Sequence, residues 1–160
     1  MVTVNVICVG KLKEKFYLAA VDEYAKRLSR SCKLNLLELP EQRLDERPSP
    51  AQIDAALAKE AELIQTKLPK NGVVVAMCIE GKLMDSVALA QSFQAWTVSG
   101  ASQITFLIGS SFGLHSSIKA LVDLKLSMSP MTFPHHLARV MLLEQIYRAF
   151  QINEGSRYHK

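Results

Sequence analysis

The run VVVAMCI, closing the stretch Gly72–Ile79, is apolar at every position and of strand length. A strand with one wet face alternates apolar and polar side chains, so a run without alternation must be covered on both faces. Helices packed on both sides of a parallel sheet supply that cover. This one stretch therefore predicts an α/β architecture with a mainly parallel sheet.

The remaining chain fits that demand. Val2–Val9 is β-branched and apolar, closed by Gly10 and too short for a helix, and Lys33–Leu39 reads as a second strand. Between them, Lys13 to Leu28 carries Tyr17, Ala20, Val21, Tyr24 and Leu28 at helical spacing. Glu41–Pro48 is a polar loop. Ser49 followed by Pro50 supplies an N-cap and a first-turn proline for a helix to about Lys67. Asp85 or Ser86 caps a helix with Leu89, Phe93 and Trp96, and Gln103–Gly109 is the fourth strand. A short helix near Leu114–Val122, a fifth strand Leu124–Ser127 and a last helix from about Pro134 to Ile152 complete the alternation. No repeat or linker divides the chain, so residues 1–160 read as one domain.

Composition narrows the class. An apolar content of 49% with 21% charged residues is that of a folded globular protein. No apolar run reaches the roughly 20 residues of a membrane span, and the N-terminal segment puts its apolar part before its charges, the reverse of a secretory signal. A cytoplasmic protein without a membrane partner is expected. Cys8, Cys32 and Cys78 are widely spaced and set among apolar residues, as reduced core thiols. The net charge of +4 is concentrated at the two ends of the chain around an acidic middle. That pattern suits either a polyanion partner or solvated helix faces.

Ligands of open α/β sheets sit beyond the carboxyl ends of the strands. Neither GxGxxG nor GxxxxGK[ST] occurs, which removes the common dinucleotide and P-loop readings. The loop Ile108–His115 holds Gly109 and Gly113 with two serines, a candidate for close backbone approach or a plain turn. Met128–Pro134 is an apolar loop where a polar one is usual, so it needs a surface to cover. His135 and His136 follow. Adjacent helical residues diverge by about 100°, so the pair does not share a metal, and no metal is expected. One of them is a candidate base or phosphate ligand; a passive helix-end histidine is the alternative. Glu144 and Arg148 form a favourable i,i+4 pair. The last helix, with Leu142, Leu143, Ile146, Tyr147 and Phe150, has more apolar positions than one sheet face covers, which predicts a two-fold interface.

These segments, VGKLKEK, IEGK, LIGSSFGLH, MTFPHHLARVMLLEQIYRAF and the terminal YHK, resemble the ribosomal large subunit methyltransferase H family of the SPOUT superfamily. The likeness runs from the first strand to the last residue. It implies methyl transfer from S-adenosylmethionine (SAM) to N3 of a pseudouridine in helix 69 of 23S rRNA. It further implies a C-terminal trefoil knot, a rarity among proteins, and a homodimer in which one subunit's tail completes its partner's site. The family's cofactor site falls on Met77, Gly109, Met128, Ser129, Pro130, Met131, Thr132 and Phe133. Ser110 stands where relatives carry a second glycine.

The resemblance places His135, Arg139, Arg148, Tyr158 and His159 around the substrate. An imide N3 is protonated at neutral pH, so transfer to it needs a base or a stabiliser of the developing anion. His159 is the leading base candidate, Arg148 or Arg139 the holder of phosphate or a uracil oxygen, and Tyr158 a stacking or orienting group. Two other readings stay open: a knotted methyltransferase acting on tRNA, and a catalytically silent ribosome-binding module.

Overall fold

β1 (Thr3–Val9) sorts its side chains by parity: Val4, Val6 and Cys8 enter one buried cluster, Ile7 and Val9 another. In the computed structural model, which describes residues 1–160, this strand lies inside a five-stranded sheet. Its partners are β2 (Lys33–Leu39), β3 (Val73–Leu83), β4 (Gln103–Ile108) and β5 (Leu124–Ser127). Every pairing is parallel, in the order β2-β1-β4-β3-β5. Between the strands run α1 (Lys15–Leu28), α2 (Pro50–Lys67), α3 (Ser86–Val98) and α4 (Ser116–Leu121), and α5 (His135–Asn153) ends the series.

Two cores result, one on each face. Val4, Val6, Ile104, Phe106 and Ile108 pack with Val21 and Leu28 of α1, Phe93 of α3 and Leu142, Leu143 and Ile146 of α5. Ile7, Val9, Ala76 and Leu107 pack with Ala61 and Ile64 of α2 and Ile118 of α4. Phe93 anchors the larger core, with ring centroids 5.9 Å from Phe106, 5.4 Å from Phe150 and 5.7 Å from Trp96. Burying either ring stabilises the fold by about 2–3 kcal/mol. No helix is long and apolar enough to cross a membrane.

Local signals place the helix starts. Ser49 and Gln52 form a reciprocal capping box with Pro50 in the first turn of α2, and Asp85, not Ser86, caps α3 by accepting from the Ala88 N–H. α1 begins two residues later than the periodicity predicts. Leu12 is buried and its N–H donates to Glu38 Oε2 at 2.8 Å, which holds the preceding turn extended. α4 is shorter than expected because the His115 ring supplies its cap: Nδ1 accepts from the Ser117 N–H.

Two expectations are corrected. β3 does not stop at Ile79. Leu126 of β5 faces Met77, and after a bulge it faces Lys82, so the strand resumes and runs to Leu83. Gly81 makes this possible: a Cβ there would stand 2.7 Å from the Lys125 carbonyl carbon. The second concerns α5. Leu142, Leu143 and Ile146 are wholly covered within the chain, because α1 and α3 both pack against α5. Their apolar surplus therefore gives no argument for an interface; Tyr147 and Phe150 remain partly exposed.

Candidate active site

β3, β4 and β5 end around a cavity of about 680 Å³. Its walls are Met77, Ile108, Leu114, Leu126, Met128 and Phe133, with Lys119 and Glu80, an ion pair, among the polar residues. The volume falls within the roughly 300–1,000 Å³ of small-molecule sites, and the position is where α/β sheets bind ligands. Cys78 lines it too and is half-buried, so of the three cysteines only Cys8 and Cys32 are core thiols.

Two loops shape this cavity. After β4, the Gly113 N–H donates to the Ser110 carbonyl at 2.8 Å, closing a tight turn with Gly113 at φ +87°. A Cβ on Gly109 would lie 2.2 Å from the Gly113 carbonyl oxygen. Glycine is thus required at 109 by the loop's own closure, a different reason from close approach of a ligand. Ser110 is buried, and its hydroxyl donates to Glu60 Oε1 at 2.9 Å. After β5, the Ser127 hydroxyl donates to the Ser129 carbonyl and the Met131 N–H donates to Ser129 Oγ, each at 3.0 Å. Met128, Ser129, Met131, Thr132 and Phe133 all line the cavity. Pro130 does not, and acts as a bend.

The first turn of α5 borders the same space. His135 Nε2 is buried with no hydrogen-bond partner. Burial, then the neighbouring His136 ring 4.2 Å away, push its pKa below the ordinary imidazole value, because both disfavour the charged ring. His136 turns instead to Glu14, Nδ1 to Oε2 at 3.7 Å, and no cluster of three metal-binding side chains exists. Arg139 departs from expectation. It is 4% exposed; Nη1 donates to Glu38 Oε2 at 2.6 Å and Nη2 to the Gly10 carbonyl at 3.1 Å. A guanidinium so engaged holds the end of β1 in place and offers no fork to a phosphate or a uracil oxygen.

Arg148, Tyr158 and His159 gather at the far end of α5. Glu144 Oε1 accepts from Arg148 Nε at 3.0 Å and Nη2 at 2.6 Å, and from the Tyr158 hydroxyl at 3.1 Å. Arg148 Cζ lies 4.7 Å from the Tyr158 ring centre, and Tyr147 meets that ring edge-on at 4.9 Å. The tail is therefore docked on its own helix. Burial, then the Glu144 bond, push the Tyr158 phenol up. Arg148 Nη1 stands 3.2 Å from His159 Nδ1. A guanidinium nitrogen can only donate, so Nδ1 is the acceptor and the neutral ring carries its proton on Nε2. The lone pair that would make His159 a base is occupied; its remaining nitrogen is a donor.

Thirteen residues separate His135 from Arg148, about 20 Å along a helix. One chain thus splits the expected residues into two groups: the cavity loops with His135, and the tail cluster. Two participants went unseen in the sequence. Phe112 stands 49% exposed beside the cavity, with no signal beyond its type. Glu60 did leave one, since it falls with Ala56 and Ile64 at four-residue spacing on the buried stripe of α2.

Comparison with known proteins bears on this geometry. The chain is 46% identical over 157 residues to ribosomal RNA large subunit methyltransferase H of Leuconostoc mesenteroides, covering 98% of this chain and 99% of that one. It is equally similar, with the same coverage, to a protein of Methanococcus maripaludis named as a putative ribosomal RNA large subunit methyltransferase H. The Streptococcus suis protein of that name is 44% identical over the same shares. In fold, the chain resembles a probable methylase family protein from Haemophilus influenzae Rd KW20, with TM-score 0.54 and 12% identity over 98% of this chain and 70% of that one. The family model described as "Predicted SPOUT methyltransferase" matches residues 2–159, and the chain belongs to that family.

Proposed function

We propose that residues 1–160 act as one SAM-dependent methyltransferase domain that modifies N3 of a pseudouridine in helix 69 of 23S rRNA. The observation that carries this reading is the cavity at the ends of β3, β4 and β5, bordered by His135, whose buried Nε2 has no hydrogen-bond partner. The names of the relatives favour a large-subunit rRNA substrate.

The residues present suit SAM. Met77, Leu114, Leu126, Met128 and Phe133 form an apolar slot for the adenine, and Lys119 and Glu80 offer opposite charges to a zwitterionic tail. When bound, SAM supplies an electrophilic methyl on a cationic sulfur. The chain's own task is to hold the acceptor nitrogen in line, at near-attack distance, and to take up its proton. In this reading His135 takes the second task. A trefoil knot, formed by threading Met128–Pro134 and α5 past the Gly109–Gly113 turn, belongs to the same proposal.

The second half of the proposal is a homodimer. Arg148, Tyr158 and His159 meet the His135 end only if a second copy brings its α5 C-terminus there, since about 20 Å part them within one chain. Nucleoside mass spectrometry of rRNA from a deletion strain tests the activity: the methylated pseudouridine should vanish and return on complementation. Calorimetry with SAM separates the enzyme from a silent binding module.

A further inference from the structure

A second cavity, of about 620 Å³, lies against the first and shares Ser111, Phe112 and His135 with it. It opens between the turn after β1 and the loop after β2. Its character is opposite to that of the first: Lys11, Lys13 and Arg43 line it together with Glu14, Glu41 and Asp45. Phe112 and Leu44 are its only two hydrophobic residues. Phe112 is half-exposed on the shared wall, where a lone aromatic face in a polar groove suits the flat face of a nucleobase. Buried beside it, His135 Nε2 has no partner in the protein, a condition that an incoming N–H would relieve.

We propose that this groove receives the acceptor nucleotide: a uracil-like base stacks on Phe112 with its imide N–H at His135 Nε2, and the adjoining phosphates meet Lys11, Lys13 and Arg43. The proposal rests on the methyltransferase reading above. Cavities that share Ser111, Phe112 and His135 adjoin, and so set donor and acceptor side by side as a direct transfer requires. The balance is simple. His135 Nε2 takes the imide proton, the freed nitrogen pair forms the new N–C bond, and the electrons of the old C–S bond stay on sulfur. The positive charge thereby moves from sulfur to the imidazolium. Glu14 and Glu41, from the segments before α1 and after β2, face His135 and favour that charged ring, whereas burial, His136 and Arg139 oppose it. Burial that disfavours the charged ring before transfer and carboxylates that favour it after transfer are both what a base needs.

The test uses the full-length chain, SAM, and ribosomes from a deletion strain as methyl acceptor. Phe112→Ala and the double variant Lys11→Ala/Lys13→Ala should keep the calorimetric Kd for SAM within about threefold and raise the ribosome KM about tenfold or more. Direct binding of unmethylated ribosomes, measured without turnover, should weaken in parallel. His135→Gln should bind SAM and ribosomes normally but lose about 10²- to 10⁴-fold in kcat. Its residual rate should keep climbing with pH as the imide ionises by itself, where the parent protein levels off. An unchanged ribosome KM in both groove variants overturns the proposal. So does a loss of SAM affinity matching the loss of ribosome affinity, which would give the wall to the donor cavity alone. If the parent protein binds no SAM, the methyltransferase reading fails first, and the two failures are distinct.

Discussion

Glu60 is a carboxylate buried in α2 whose two oxygens accept from the Gln42 N–H and the Ser110 hydroxyl, both at 2.9 Å. Burial raises its pKa, more than those two bonds lower it. A raised folded value means stability is greatest below the ordinary carboxylate range and declines as pH rises through the folded pKa. Glu60→Gln should abolish that decline while keeping both bonds, since its oxygen still accepts from Gln42 and its amide can donate to Ser110. Glu60→Ala leaves both donors stranded and should cost about 1–3 kcal/mol. Urea unfolding of the three proteins at pH 5 and pH 8 reads out both effects. His159 gives a sharper test of role. As a donor it should be replaceable by a neutral amide: His159→Gln is expected to keep kcat within about tenfold, where loss of a general base costs about 10²-fold or more. Steady-state kinetics of that variant against His135→Gln decides between the two imidazoles. Nothing in the residue types distinguishes these histidines. The difference lies in a guanidinium beside one and a buried, partnerless nitrogen on the other.

At the scale of elements, the tail behaves as part of α5, held by Glu144, Arg148 and Tyr147. Deleting Tyr158–Lys160 should leave SAM affinity within a few-fold and lower methyl transfer by about 10²-fold, the cost typical of losing a positioned donor. Calorimetry and a methyl-transfer assay on the same preparation separate the two effects. Much of the element map was legible from local chemistry. The Val73–Ile79 run foretold a two-sided sheet, and Ser49-Pro50 marked the start of α2 to the residue. What escaped depends on partners far along the chain. The late start of α1 follows from Glu38, 26 residues beyond Leu12, and the continuation of β3 from a glycine that lets Lys125 and Leu126 come close. Arg139 looked free because its partners, Glu38 and the Gly10 carbonyl, sit at the ends of strands more than a hundred residues earlier. Loop sites were easier to locate than to explain. Gly109 and, apart from Pro130, the residues of Met128–Phe133 do border one cavity, but the glycine is needed for the turn itself.

For the whole molecule, the proposal that two copies share each site, one supplying the His135 end of α5 and the other the tail, has a direct test. Mixing a His135→Gln protein with one lacking Tyr158–Lys160, each nearly inactive, should recover activity, because one site of the mixed dimer has both intact halves. Sedimentation as a monomer at micromolar concentration, or no recovery after mixing under conditions of subunit exchange, would remove the shared site. A different consequence follows from the strand order. β1 is flanked by β2 and β4, and its register with β4 joins Thr3 to Gln103 and Cys8 to Ile108. During synthesis, then, the first strand has one neighbour available early and must wait for the other until about a hundred more residues have been made. At about 5–20 residues per second that delay is roughly 5–20 s. Until β4 is made, Val4 and Val6, which end with no exposed surface at all, lie on a strand whose β4-facing edge has no partner. The center of the finished sheet is thus among the last parts of it to close.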